Sequence, residues 1–497
     1  MKNFRAQILD LCKKGESTEV EFKSAKGGFP QSFWETYSAF ANTNGGVIVL
    51  GIVEKNGKFI PDGLNEDQIN AHKKKFWDSV NNKTQVNACI ITSSDVMEEE
   101  YGDGKVLVFR IPRAHFTKKP VYLTQNPFGH TFVRRHEGDY ICQDEEVREM
   151  FSDSTVDKRS LDNVIFNKFK FEKYIDRASV RQYRQRFNIR HDDHPWVELS
   201  DFEFFKKIGG YRVDENKGEE GCTLAGILMF GNWDGLHEAM PSYFVDFREK
   251  LSSDPEIRWT DRLFPDGYWE PNLYQFYKLV YPKMVSALPV PFKLEGDERI
   301  DDTPAHKALR EAIINTLIHA RYGKLLGVVI ERYPDRLVFV NPGTMLISVD
   351  QYYEGGTSIC RNSVLQEMFL LIGGGERAGS GADTILKGWK ENHWPKPVIR
   401  ERFEPNRVEL TLYLNQIRPD DSNPKTSEKT SEKTSEKTSE KIIRLIQENN
   451  QITVKILSEK LQISSRAVEL QLKNLRKKGV IKRVGGRNGG HWEIVDN

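Results

Sequence analysis

Arg466, Lys473 and Lys477 recur at spacings that place them, with Glu469, on one side of a helix, opposite an apolar stripe of Val468, Leu472 and Leu475. Cations in that arrangement suit phosphate contact and base-edge readout by a helix lying in a major groove. Arg487 stands between the pairs Gly485-Gly486 and Gly489-Gly490, a tip that would carry a guanidinium to a phosphate or into a minor groove. Lys23, Arg134 and Arg135 are further candidate phosphate contacts. A different set, Glu311, Asn315 and His319, is spaced by four and lines one helical face. The sequence holds no G-x-S-x-G, H-E-x-x-H, Walker A or EF-hand loop, which removes the commonest hydrolase and phosphate-loop chemistries.

These side chains need elements to hold them. Ile442, Ile443, Leu445 and Ile446 mark a helix ending at Asn449-Asn450, and Val454, Leu457 and Leu461 mark a second. Ser464 is a natural N-cap for a third helix over 465–478, closed by Gly479. Strands over 480–484 and 491–495 flank the glycine-rich tip, so 441–497 is expected to be a winged helix-turn-helix. Ahead of it, Lys-Thr-Ser-Glu repeats four times from Lys425 to Glu440 without one apolar residue. Such a segment buries nothing to offset its ordering entropy, and 419–440 is expected to be a flexible linker.

The remainder reads as three regions of mixed helix and strand, an α+β multidomain chain. Residues 1–150 open with a helix, then a loop at Gly27-Gly28, a helix over 32–41, a buried-type strand over 47–53, and strands over 106–111 and 131–135. Residues 151–290 form a connecting region with strands over 224–230 and 243–247 and a long helix over 273–288. Residues 291–418 carry a helix over 305–320, strands over 328–333, 336–340 and 408–413, and a glycine-rich loop.

Composition narrows the class. The chain has 497 residues, too many for one core, and its 38% hydrophobic and 29% charged content suits a soluble protein. No apolar run approaches the roughly 18 to 20 residues that a membrane span needs. The N-terminal stretch has charges inside its apolar part and no small-residue cleavage site, so no secretory signal is expected. Cys12, Cys89, Cys142, Cys222 and Cys360 are scattered with no C-x-x-C pair, which points to reduced thiols in a cytoplasm. The net charge of +1 hides an asymmetry: from Lys441 to Asn497 there are 12 Lys+Arg against 5 Asp+Glu, a surplus of +7, leaving −6 elsewhere. The positive end is where a polyanion, duplex DNA before others, would be held.

The segments ESTEVEFK (16–23) and YSAFANTNGGVIVLGIVE (37–54) resemble the AlbA-like domain of the Schlafen family. The match rests on Glu16, Ser17, Glu21, Phe22 and Lys23, on the run from Ser38 to Gly46, and on Gly51, and extends to TFVRRHEGD (131–139). The resemblance implies nucleic-acid binding, RNA included. In some members it also implies metal-dependent RNA cleavage by three carboxylates, which fall here on Glu16, Glu21 and Glu54. The third is usually Asp, so this chain departs by one methylene. Three convergent carboxylates suit Mg²⁺ or Mn²⁺. Eukaryotic Schlafens place two copies of this fold side by side; one copy is found here, so a homodimer is expected.

A second resemblance covers ALREAIINTLIHARY (308–322), RLVFVNPG (336–343), RNSVLQEMF (361–369) and ERAGSGADTI (376–385). These look like a divergent ATP-binding α/β sandwich of the histidine-kinase, gyrase and Hsp90 class, which often follows a Schlafen-type domain in bacterial transcriptional regulators. The resemblance implies that Asn315 holds Mg²⁺, that Glu311 and His319 face the nucleotide, and that Gly379 and Gly381 let backbone approach phosphates. Where the class reads adenine with Asp, this sequence has Asn341-Pro342-Gly343. ATP is therefore an expected ligand without an expected hydrolysis. The chain is expected to be a DNA-binding regulator, with a metal-dependent ribonuclease or defence nuclease, and a scaffold with vestigial sites, as the alternatives.

Overall fold

Val20 and Phe22 alternate with Glu21 and Lys23, the period of a half-buried strand, and the structure forms one at Val20–Lys23 with the two apolar residues inside. The computed structural model describes residues 16–414 except 56–57, 102–103, 157, 255, 289–293, 296–297, 300–301, 324–325, 376–379 and 404, together with 442–447, 449–461, 468, 472, 475–476, 480–484 and 491–494. The expected opening helix, Gly379, the Lys-Thr-Ser-Glu linker, Arg466, Lys473, Lys477 and Arg487 lie outside the described residues. The chain divides into two compact units, Met1–Gln416 and Ile417–Asn497. Among the described residues no helix is long and apolar enough to cross a membrane.

In the N-terminal part, Val20–Lys23 pairs in parallel with Gly46–Leu50, across which Gly104–Ile111 and then Val96–Tyr101 add antiparallel. The helix Phe33–Asn42 makes the crossover between the parallel strands, and its Phe33, Tyr37 and Phe40 are fully buried. The strand expected over 47–53 is broken. Gly51 has φ +94, and a Cβ there would meet the Leu64 side chain at 2.6 Å, so the chain turns out of the sheet at a position open only to glycine. Glu54 is thereby carried onto a separate hairpin, Ile52–Lys55 with Lys58–Pro61.

The rest of the first unit is built on a six-stranded sheet ordered Asp261–Leu263, Val245–Glu249, Val328–Arg332, Arg336–Pro342, Asn406–Tyr413 and Val398–Phe403. Only Val245–Glu249 with Val328–Arg332 is parallel. Two of these strands come from the region read as a connector, and one apolar core runs from Phe171 to Leu414, so 151–290 and 291–418 share a single interior. A correction concerns 224–230, expected as a strand: Leu224–Phe230 is a helix, N-capped by Thr223, whose Oγ1 accepts the Gly226 N–H at 3.1 Å. A seven-residue apolar run carries no periodicity to separate strand from buried helix, and here the cap decides.

In the second unit, helical residues 442–447, the helix Val454–Leu461 and the hairpin Ile481–Val484 with His491–Ile494 surround a core of Ile442, Ile446, Ile452, Leu457, Val468, Leu472, Leu475, Ile481 and Trp492. Val468, Leu472 and Leu475 are buried as the expected stripe requires. Trp492 ties the hairpin to the turn between the helices, its backbone N–H donating to Asn450 O at 2.7 Å and its indole N–H to Ile452 O at 3.3 Å.

Candidate functional site

Glu16 and Glu21 lie near one another at the start of the N-terminal sheet, and Glu21 is engaged by cations of the protein itself. Arg134, almost fully buried, donates from Nη1 to Asp139 Oδ1 and from Nη2 to Glu21 Oε2, each at 2.9 Å, with Ser17 O also at 2.9 Å. Its guanidinium lies 5.1 Å from the centre of the Phe40 ring. Lys23 Nζ donates to the other oxygen of Glu21 at 2.9 Å. Partial burial, and then the neighbouring Glu21, push the Glu16 carboxyl above its ordinary range, while Phe22 N–H donates to it at 3.3 Å. Glu54 is exposed on its hairpin. Among the described residues no three His, Cys, Asp or Glu side chains are grouped as a metal ion requires. Both oxygens of Glu21 are already engaged by cations and the third carboxylate stands apart, so the residues present do not fit the divalent metal that the resemblance implied. No metal-assisted cleavage step follows from this cluster.

The candidate phosphate contacts of this domain are likewise occupied. Lys23 and Arg134 are spent on Glu21 and Asp139, and Arg135 Nη2 donates to Glu146 at 2.7 Å. The run from Ser38 to Gly46 explains why. Ser38 Oγ donates to Val121 O at 2.7 Å and accepts Phe132 N–H; Asn42 donates to Val121 O and Phe132 O and accepts Val121 N–H; Thr43 Oγ1 accepts Arg134 N–H. These buried polar groups fix the strand Phe132–Arg135 against the helix, which fixes where Arg134 points.

The second cluster gathers as its spacing predicted. Glu311 and Asn315 on the helix Pro304–Ile318, with His319 at its C-cap, line a cavity of about 120 Å³ together with Asn341, Tyr352, Arg361 and Gly381. A Cβ on Gly381 would lie 2.3 Å from Glu311 Oε1 and 3.1 Å from Asn315 Nδ2, so the absence of a side chain there is what lets the helix Gly381–Glu391 begin against these two groups. Asn341, at the end of the strand Arg336–Pro342, is buried and lines the same cavity. The Tyr352 hydroxyl is buried and without a hydrogen-bond partner among the described residues. Burial, helped by Arg361, pushes the His319 imidazole down to about 4, so it is neutral near pH 7 and offers one donor and one acceptor.

Nothing in the local sequence pattern around Arg361 marks it. It is fully buried, donating from Nε and Nη2 to Asp153 at 3.1 and 3.0 Å, from Nη1 to His319 O at 2.6 Å and from Nη2 to Thr344 O at 2.9 Å. Arg321 Nη2 shares Asp153 at 2.5 Å. Burial alone would raise the Asp153 carboxyl; Arg361 and Arg321 outweigh it and hold the group below its ordinary range. The cavity therefore presents neutral hydrogen-bonding groups beside the Glu311 carboxyl, and the Arg361 guanidinium that lines it is neutralised by Asp153.

Four stretches of the chain match known families. Residues 16–143 match the family described as "Schlafen, AlbA_2", 148–246 match a domain of unknown function, 327–412 match "Putative ATP-dependent DNA helicase recG C-terminal", and 435–482 match "Winged helix-turn-helix DNA-binding". The helix bearing Glu311 and Asn315 precedes the third of these. Among solved structures, the DIP2311 protein from Corynebacterium diphtheriae is 17% identical, with 99% of this chain and 96% of that one covered and a TM-score of 0.40. The N-terminal domain of a RecG-related protein from Nitrosomonas europaea is 23% identical over 28% of this chain and 92% of that one, with a TM-score of 0.22. No curated protein matches the chain significantly. The Schlafen/AlbA-like, ATPase-like and winged-helix modules read from the sequence are thus each matched by a family.

Proposed function

We propose that this chain, with its Schlafen/AlbA-like, ATPase-like and winged-helix modules, is a nucleic-acid-binding transcriptional regulator. The winged helix holds duplex DNA, the N-terminal domain engages nucleic acid, RNA included, and the cavity around Asn315 takes ATP with Mg²⁺ or Mn²⁺. A cytoplasmic homodimer completes the reading. The observation that carries it is the second unit: helices and a wing hairpin packed on Val468, Leu472 and Trp492, in a stretch with a +7 surplus of charge. With that stripe inside, a fold of this kind offers its cations to phosphates and base edges. In the cavity, Asn315 would hold the metal, which would screen the phosphates, while Gly381 leaves room at the start of its helix and the Tyr352 hydroxyl and the Asn341 amide would face a base.

The experiment is duplex binding at fixed salt. Removing residues 425–497 should weaken it sharply, and Lys473→Ala in the full chain should cost about 1 to 3 kcal/mol if that side chain reads a base. Equal affinity with and without the C-terminal unit would reject the reading.

A further inference from the structure

The wall of the cavity is not held by its own domain alone. Thr344, Met345 and Leu346 line the pocket of Glu311 and Asn315, and the same three residues line a second cavity of about 40 Å³ on their other side, with Asn42, Arg113 and Lys119 of the N-terminal domain. Met345 packs on the main core and Leu346 on a small cluster, and hydrogen bonds fix the backbone between them. Those bonds converge on Arg113. Its Nη2 donates to Met345 O at 2.7 Å, and its two terminal nitrogens grip Glu401 at 2.5 and 3.1 Å. Glu401 Oε1 in turn accepts Met345 N–H at 2.8 Å, so both backbone groups of Met345 are tied to one ion pair. The Glu401 side chain is 2% exposed and that of Arg113 11%, which shields the pair from solvent screening. Arg113 Nη1 also donates to Asn44 Oδ1 at 3.1 Å, inside the motif run that organises the N-terminal domain. Leu346 packs on Phe116 and Val156, again from outside the sheet that forms the pocket.

We infer that Arg113 of the N-terminal domain is a positioning residue of the nucleotide pocket. Through Glu401 and the backbone of Met345 it sets the wall 344–346 where a metal–nucleotide needs it, so occupancy of the pocket and the state of the nucleic-acid domain bias one another. The inference rests on the nucleotide reading proposed above. Coupling of this kind is reciprocal: a ligand of the N-terminal domain changes nucleotide affinity by the same factor by which nucleotide changes the affinity for that ligand.

The test uses the full chain and ATP with excess Mg²⁺, read as the shift in melting temperature and as a titrated affinity. Arg113→Ala alone would leave the Glu401 carboxylate buried and unpaired and risks unfolding the protein, so the decisive variant is the double replacement Arg113→Met with Glu401→Leu, which removes the pair without stranding a charge. The expected result is an apo melting temperature close to wild type with nucleotide binding weakened about tenfold. Arg113→Met with Glu401→Gln, which keeps an oxygen for Met345 N–H without stranding a charge, should recover part of the loss. Wild-type affinity in a folded double variant overturns the positioning role while leaving the pocket intact. A wild-type chain that shows no shift, or a shift that survives Asn315→Ala, overturns the nucleotide reading and this inference with it.

Discussion

A buried guanidinium needs both counter-charge and hydrogen-bond acceptors, and Arg134 obtains them from nearby Asp139 and distant Glu21, Arg361 from distant Asp153. For Arg134 this turns Glu21 from a candidate catalytic group into a structural partner. Removing it leaves the buried Arg134 to Asp139 alone, so Glu21→Ala should lower stability by about 1 to 3 kcal/mol, while the exposed Glu54→Ala should change it by less than about 0.5 kcal/mol. Denaturant unfolding of both variants checks this, and equal effects would remove the anchoring role. His319 makes a second prediction at this scale. Its native value near 4 lies below the ordinary 6.5, so between those limits the unfolded chain binds a proton that the native state refuses. Stability from this group is complete above about pH 6.5 and falls as pH drops, at up to about 1.4 kcal/mol per pH unit. His319→Gln should flatten that part of the stability–pH curve; an unchanged slope would mean the ring titrates freely in the fold.

At the scale of elements, the helices Pro304–Ile318 and Gly381–Glu391 meet where side chains are missing. Gly388 sits where a Cβ would come within 2.5 Å of Pro304 O, and Gly381 against Glu311 and Asn315. Gly381→Ala should force the Glu311 carboxylate aside, cost about 1 to 3 kcal/mol, and remove the thermal shift given by ATP with Mg²⁺. Retention of the full shift would place the ligand away from this contact. The four-residue spacing of Glu311, Asn315 and His319 was legible because helical geometry alone places such residues on one face. The helix at Leu224–Phe230 was not, because a short apolar run is compatible with either buried element until its cap is formed.

At the scale of the whole molecule, the regions 151–290 and 291–418 that read as separate share one interior, and the cavity is reached by the N-terminal domain through Arg113 and by the segment after it through Asp153. The homodimer expected from the single AlbA-like copy is a claim about this scale. Light scattering should give about twice the 57.4 kDa of one chain at micromolar concentration, and a value at one chain's mass throughout would withdraw it.

Local pattern was enough for the modules themselves. The apolar stripe of the third C-terminal helix and the face holding Glu311 and Asn315 depend on neighbours within a few turns of chain, where spacing and backbone sterics decide the outcome. The partners of Arg134, Arg361 and Arg113 depend on charges 100 or more positions away in several cases, as with Glu21, Asp153 and Glu401. No periodicity carries that information, because the energy of a buried charge is set by what the fold brings beside it. The sequence could therefore nominate Glu16, Glu21 and Glu54 as a group, but only the tertiary structure could show Glu21 neutralised by Arg134 and Lys23 and Glu54 turned away at Gly51.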